Sequence, residues 1–141
     1  MTRTFFIFLL AAFLAVGCGG KDNRALADYV ARQDRLCPIP ADDLMIISRV
    51  VYNEDEATVE LWYSVNDFEH IDVAEMKRAK PQLRKAIADR LKSEDSSVFL
   101  QMIADGGAAL KFDFSGLYSG GAFSITFTPE QIRELAQQTK R

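Results

Sequence analysis

Two side chains of this 141-residue chain suit nucleophilic chemistry: Cys37, one of two cysteines, and His70, the only histidine. A thiolate beside an imidazole is the minimum for cysteine catalysis. Yet Cys37 directly precedes Pro38, with neither a glycine-rich loop nor a nucleophile-elbow motif around it. The pair reads as a core cysteine and a loop histidine that do not meet. Glu69, His70 and Asp72 bring metal-capable groups together, but one imidazole and two loop carboxylates fall short of a metal set. Acidic residues there suit the positive end of the helix that follows. Gly106-Gly107 and the run from Gly116 to Gly121 lack the Lys-Ser/Thr of a phosphate loop and read as tight turns. No catalytic residue, metal or cofactor is expected.

Binding chemistry is better represented. Between Arg49 and Lys77 the charged residues, from Glu54 to Glu75, are all acidic. Lys77, Arg78, Lys80, Arg84, Lys85, Arg90 and Lys92 then follow, with only Asp89 of opposite sign. On one helix Arg78, Lys85 and Lys92, seven apart, form an outward row suited to an anionic surface or an acidic partner. Trp62, the single tryptophan, is the second candidate. It alternates with Leu61 and Tyr63 and falls on the open face of a sheet, where aromatics serve as interface hot spots. The first strand is apolar on both sides, so a covered face is the alternative for Trp62.

The elements that must position these groups follow from periodicity. Leu26, Tyr29, Val30, Gln33 and Cys37 recur at helical spacing, with Asp22 or Asn23 as N-cap and Pro38 as terminator. Cys37 at the end of that stripe is expected to be buried. Leu44 to Tyr52 and Ala57 to Val65 read as a hairpin around the polar joint Asn53 to Glu56. Asp72 caps a helix bearing Val73, Met76, Leu83, Ile87 and Leu91 on one arc, with a kink or restart at Pro81. Ser96 to Ala104 reads as a short helix closed by glycine, with a strand as alternative. Leu110, Phe112 and Phe114 alternate with polar residues, as do Phe123, Ile125 and Phe127, which makes a second hairpin. Thr128, Pro129 and Gln131 then match an N-cap, a first-turn proline and a capping-box partner. The expected fold class is α+β, a two-layer sandwich. In it, two hairpins form an antiparallel four-stranded sheet with helices packed on one face.

The N-terminus carries an address. Arg3 precedes an uncharged run from Phe5 to Val16, which is too short to span a membrane and has the form of a secretory signal. Ala15, Val16, Gly17 and Cys18 resemble the lipobox of bacterial lipoproteins, although Ala15 stands where leucine is favoured. The resemblance implies a diacylglycerol on the Cys18 sulfur, cleavage before it and usually a further acyl chain on the new amino group. Together two or more acyl chains hold stably to a bilayer. The implied organisation is a signal peptide over residues 1–17, a lipidated tether over 18–22 and a single α+β domain over 23–141. Gly19 is not the aspartate associated with inner-membrane retention, so the resemblance favours the outer membrane over the inner. The mature chain would hold 124 of the 141 residues and, without Arg3, 16 basic residues against 20 acidic. That balance argues against a nucleic-acid partner.

The mature part also resembles small envelope lipoproteins in layout. A first helix ends in Cys-Pro, here Cys37-Pro38, and two hairpins follow, the second closing on Thr-Pro, here Thr128-Pro129. The expectation is a non-enzymatic, membrane-anchored binding or assembly module. It would meet an envelope protein or an anionic surface through the open sheet face at Trp62 and the basic row Arg78, Lys85 and Lys92. A periplasmic small-ligand or peptide-binding lipoprotein is the alternative.

Overall fold

The computed structural model describes residues 23–68 and 72–139. The expected signal segment, Cys18 and the tether lie outside the described residues, as do Glu69 and His70. Helix α1 covers residues 23–35. There follow β1 (Ile39–Pro40), β2 (Met45–Asn53), β3 (Thr58–Val65), α2 (Val73–Arg78), α3 (Lys80–Leu91), a 3-10 turn (Glu94–Ser96), α4 (Ser97–Asp105), β4 (Ala109–Gly116), β5 (Ala122–Phe127) and α5 (Pro129–Thr139).

The α+β class holds, but the sheet corrects the expected four antiparallel strands. It has five strands in the order β1-β2-β3-β4-β5, and β3 and β4 are parallel while the other neighbours are antiparallel. The reason is the connection. From the end of β3 the chain returns through α2, α3 and α4 to the end where β3 began, so β4 starts beside Thr58 and runs alongside it. Alternation fixes pairing within a hairpin, not the direction of one hairpin against the next. The extra strand, β1, is two residues long and pairs with Ile46 and Ile47, too short to carry a period.

Register builds the core in rows. Val59, Leu110 and Phe127 lie side by side, then Leu61, Phe112 and Ile125, then Tyr63, Phe114 and Phe123. All but Tyr63 are buried. In the third row the ring of Phe114 stacks on Tyr63 at 5.0 Å and on Phe123 at 4.9 Å. Leu26 and Val30 of α1, Leu100 and Ile103 of α4, and Ile132 and Leu135 of α5 belong to the same buried cluster. Each such side chain withdrawn from water contributes roughly 1.5–3 kcal/mol.

Local signals act as the sequence predicts. The Asp72 carboxylate accepts the Ala74 N–H at 2.9 Å to cap α2. Pro81 lies in the first turn of α3, a restart rather than a bend. Before α5, Thr128 N–H donates to Gln131 Oε1 at 2.9 Å and Gln131 N–H donates back to Thr128 Oγ1 at 3.2 Å. That is the reciprocal capping box.

In β2 the pairing slips between Ile47 and Arg49. Met45 and Ile47 stand opposite Val65 and Tyr63, whereas beyond the bulge Val50 and Tyr52 stand opposite Leu61 and Val59. The extra residue, Ser48, explains why this strand is apolar in both phases of its sequence.

Candidate functional site

Two concave surfaces flank β3, one on each face. On the open face Trp62 is 39% exposed. Its indole Nε1–H donates to Glu60 Oε1 at 3.3 Å, and the Arg49 guanidinium lies 5.7 Å from its ring centroid. A shallow depression of about 450 Å³ runs from Trp62 past Ser64, Asp113 and Ser124. Burial pushes the Asp113 carboxyl above its ordinary range; the Lys111 ammonium, 3.7 Å away, opposes this and Glu60 adds to it. Two acids, Glu60 and Asp113, and two bases, Arg49 and Lys111, thus leave this face close to charge-balanced.

Arg49 is anchored from behind. Its Nε and Nη2 donate to the two Asp34 carboxylate oxygens at 3.0 and 3.2 Å, and Asp34 Oδ1 also accepts the Val50 N–H at 2.9 Å. The Arg49 hydrogen bond, then that of Val50, holds the Asp34 carboxyl below the usual carboxylate range. One helical carboxylate thereby ties α1 to the edge of β2 beyond the short β1, where a backbone donor would otherwise be free.

The second surface lies on the helix-bearing face and was not singled out in the sequence. A groove of about 510 Å³ opens where α3 leaves the start of β2 uncovered. Met45, Ile47, Phe112 and Phe114 form its floor, Leu83 and Ile87 one wall, and Asp42 and Arg90 its polar rim. Tyr63 also lines it, its hydroxyl pKa raised mainly by burial. Leu83 and Ile87 read as ordinary core positions, but both are only partly buried. The available signal was the composition of α3, KPQLRKAIADRL, whose few large apolar residues cannot roof a five-stranded sheet.

The basic row is divided. Arg78 is the last residue of α2, Lys85 lies within α3, and Lys92 caps the end of α3. Ala79, at φ −90° and ψ 19°, separates the two helices, so Arg78 and Lys85 belong to different helices rather than to the single one expected. Arg78 and Lys85 are exposed, and Lys92 Nζ lies 3.5 Å from Asp89. Arg84 turns inward instead. Its Nη1 donates to Thr126 O at 2.7 Å, its Nη2 to Gln131 Oε1 at 2.8 Å, and the guanidinium sits 4.3 Å from the Phe127 ring centroid.

Cys37 is half-buried against the core, with Sγ 3.7 Å from Gln33 O. Burial first, and the Asp34 charge second, push its thiol pKa up. A protonated thiol is a poor nucleophile. Among the described residues no group of three or more His, Cys, Asp or Glu side chains converges as a metal site, and no helix is long and apolar enough to cross a membrane.

No family model and no curated protein matches the chain. Solved structures do. A protein of Pseudomonas aeruginosa described as secreted aligns with a TM-score of 0.62 at 15% identity, over 80% of this chain and 94% of its own. The pilotin of the Vibrio vulnificus type 2 secretion system aligns with a TM-score of 0.53 at 13% identity, over 80% of this chain and 96% of its own. At such identities the likeness is one of fold.

Proposed function

We propose that this chain is a non-enzymatic lipoprotein of the bacterial envelope that assists assembly of a secretion apparatus, held to the outer membrane by acylated Cys18. The observation that carries the reading is the groove between α3 and β2, an apolar floor with one acidic and one basic residue at its rim. Such a surface suits the apolar side of a peptide segment from an envelope protein, with Asp42 and Arg90 fixing its direction. The fold shared with a type 2 secretion pilotin supports an assembly role. Lipid anchoring would confine the domain to one surface and raise its effective concentration there for a partner. Trp62 on the open face and the basic residues Arg78, Lys85 and Lys92 are proposed as accessory contacts.

A second reading, a periplasmic small-ligand or peptide binder, draws on the groove volume of about 510 Å³, which falls in the range of small-molecule sites.

In-cell photocrosslinking from positions 87, 62 and 85 separates these readings, run on the full chain and on Cys18→Ala. A discrete envelope protein captured from position 87, and lost in Cys18→Ala, is the expected result. Capture only from 62 or 85 would move the binding surface off the groove. No protein adduct from any of the three would sink the assembly role and favour the ligand-binding alternative.

A further inference from the structure

At the end of the sheet where β3 and β4 finish, the chain presents apolar side chains to solvent on a rigid support. Phe68 and Tyr118 are 67% and 65% exposed, their ring centroids lie 5.1 Å apart, and the neighbouring Leu117 is 59% exposed. A floppy loop would explain such exposure, but this loop is tied down. Asp67 accepts the N–H groups of Tyr118 at 3.0 Å and Ser119 at 3.3 Å, Leu117 N–H donates to Val65 O at 3.0 Å, and Gly116 N–H donates to Gly121 O at 2.9 Å. A Cβ at Gly116 would collide with the Asp67 carboxylate, so glycine there lets the clamp close. Aromatics held rigid while exposed lose little entropy on binding, which is the character of interface hot spots.

The surroundings state the partner's charge. Asp72 and Glu75 open α2, and the next residue, Val73, packs against Gly121 of the same loop. Asp43 belongs to the turn in which Leu44 O accepts the Asn66 N–H at 2.7 Å. All three acids are exposed, and the nearest basic residue along α2 is Lys77. An acidic rim repels anionic lipid and attracts cationic side chains, which aromatic faces also bind.

We propose that this tip, Phe68, Leu117 and Tyr118 within the acidic rim, is a docking surface for a basic, apolar segment of a protein partner. It shares no residue with the lining of the neighbouring groove and holds whether or not Cys18 carries lipid.

The test uses the purified full chain and two fluorescent decapeptides of matched length, one built of Leu, Phe and Arg, the other with Glu in place of Arg, read by anisotropy. The basic peptide should bind and the acidic one should not. The double variant Phe68→Ser/Tyr118→Ser, with an unchanged circular-dichroism melt, should weaken binding at least tenfold. Asp72→Asn/Glu75→Gln should weaken it several-fold, and Asp55→Asn, in the exposed β2–β3 turn at the opposite end of the sheet, should leave it unchanged. Equal binding by wild type and the aromatic double variant, or equal affinity for the two peptides, would overturn the proposal. So would a dimer, seen by sedimentation velocity, that the double variant abolishes, because the tip would then contact a second copy.

Discussion

Trp62 and Tyr63 are neighbours in β3 and meet opposite surroundings. Tyr63 points to the helix-bearing face, stacks on Phe114 at 5.0 Å and lines the groove. Trp62 points the other way, its indole N–H donating to the Glu60 carboxylate and the Arg49 guanidinium lying over its ring. The same strand therefore has one face ordered by close packing and another ordered by polar pairing. Packing is costly to disturb, because a cavity cannot fully collapse, whereas an exposed polar pairing is readily replaced by water. It follows that stability is concentrated on one face, and that the other can change its side chains for binding.

The sharpest way to break this comparison is to cut one aromatic on each face. Phe114→Ala removes the ring between Tyr63 and Phe123 and should destabilise the domain by about 3–5 kcal/mol, seen as a lower urea midpoint. Trp62→Ala should cost about 1 kcal/mol or less. Comparable losses at the two sites would mean that the open face is covered in the folded protein.

Arg84 tests a weaker link, the polar stitch joining α3 to β5 and α5. Thr126 O, on the edge strand, and Gln131 Oε1 both accept from its guanidinium. Arg84→Ala should cost about 1–2 kcal/mol, since a charged donor is lost but water can reach the freed carbonyl. Arg84→Lys, a single point charge in place of a fork, should recover only part of that loss in the same urea titration.

These differences also mark what could be read from the sequence. The alternating residues of β3, β4 and β5, the capping box at Thr128 and the restart at Pro81 are local patterns, and each predicts its element. Whether β4 runs parallel or antiparallel to β3 depends on a crossover of more than forty residues, for which no local pattern exists. The bulge at Ser48 hides in a strand that is apolar in both phases. The outward side of Trp62 was legible because it follows from the phase of one strand. The groove was not, because it depends on how α3 crosses the sheet and what it leaves bare. Asp67 was also opaque, since its partners Tyr118 and Ser119 lie 51 and 52 residues away.

The smallest expected effect separates the carboxylates by sign. Asp34 and Asp67 are held below their ordinary pKa, by Arg49 and by Ser119 and Tyr118 respectively. Each binds fewer protons folded than unfolded, so the stability it adds is present above about pH 4 and is lost as pH falls through the folded value. Asp113, on the open face, is shifted the other way by burial. It binds more protons folded than unfolded, so its contribution is most favourable below about pH 4 and declines as pH rises through its folded value. Asp113→Asn should therefore leave stability at pH 7 unchanged or raise it by up to about 0.5 kcal/mol, since the partly exposed, 3.7 Å Lys111 pairing it forfeits is worth little. Asp34→Asn should lower stability at pH 7 and flatten the acid limb of the urea midpoint against pH. If Asp113→Asn also lowered stability at neutral pH, its pairing with Lys111 would outweigh its desolvation, and the polar face would contribute to holding the fold.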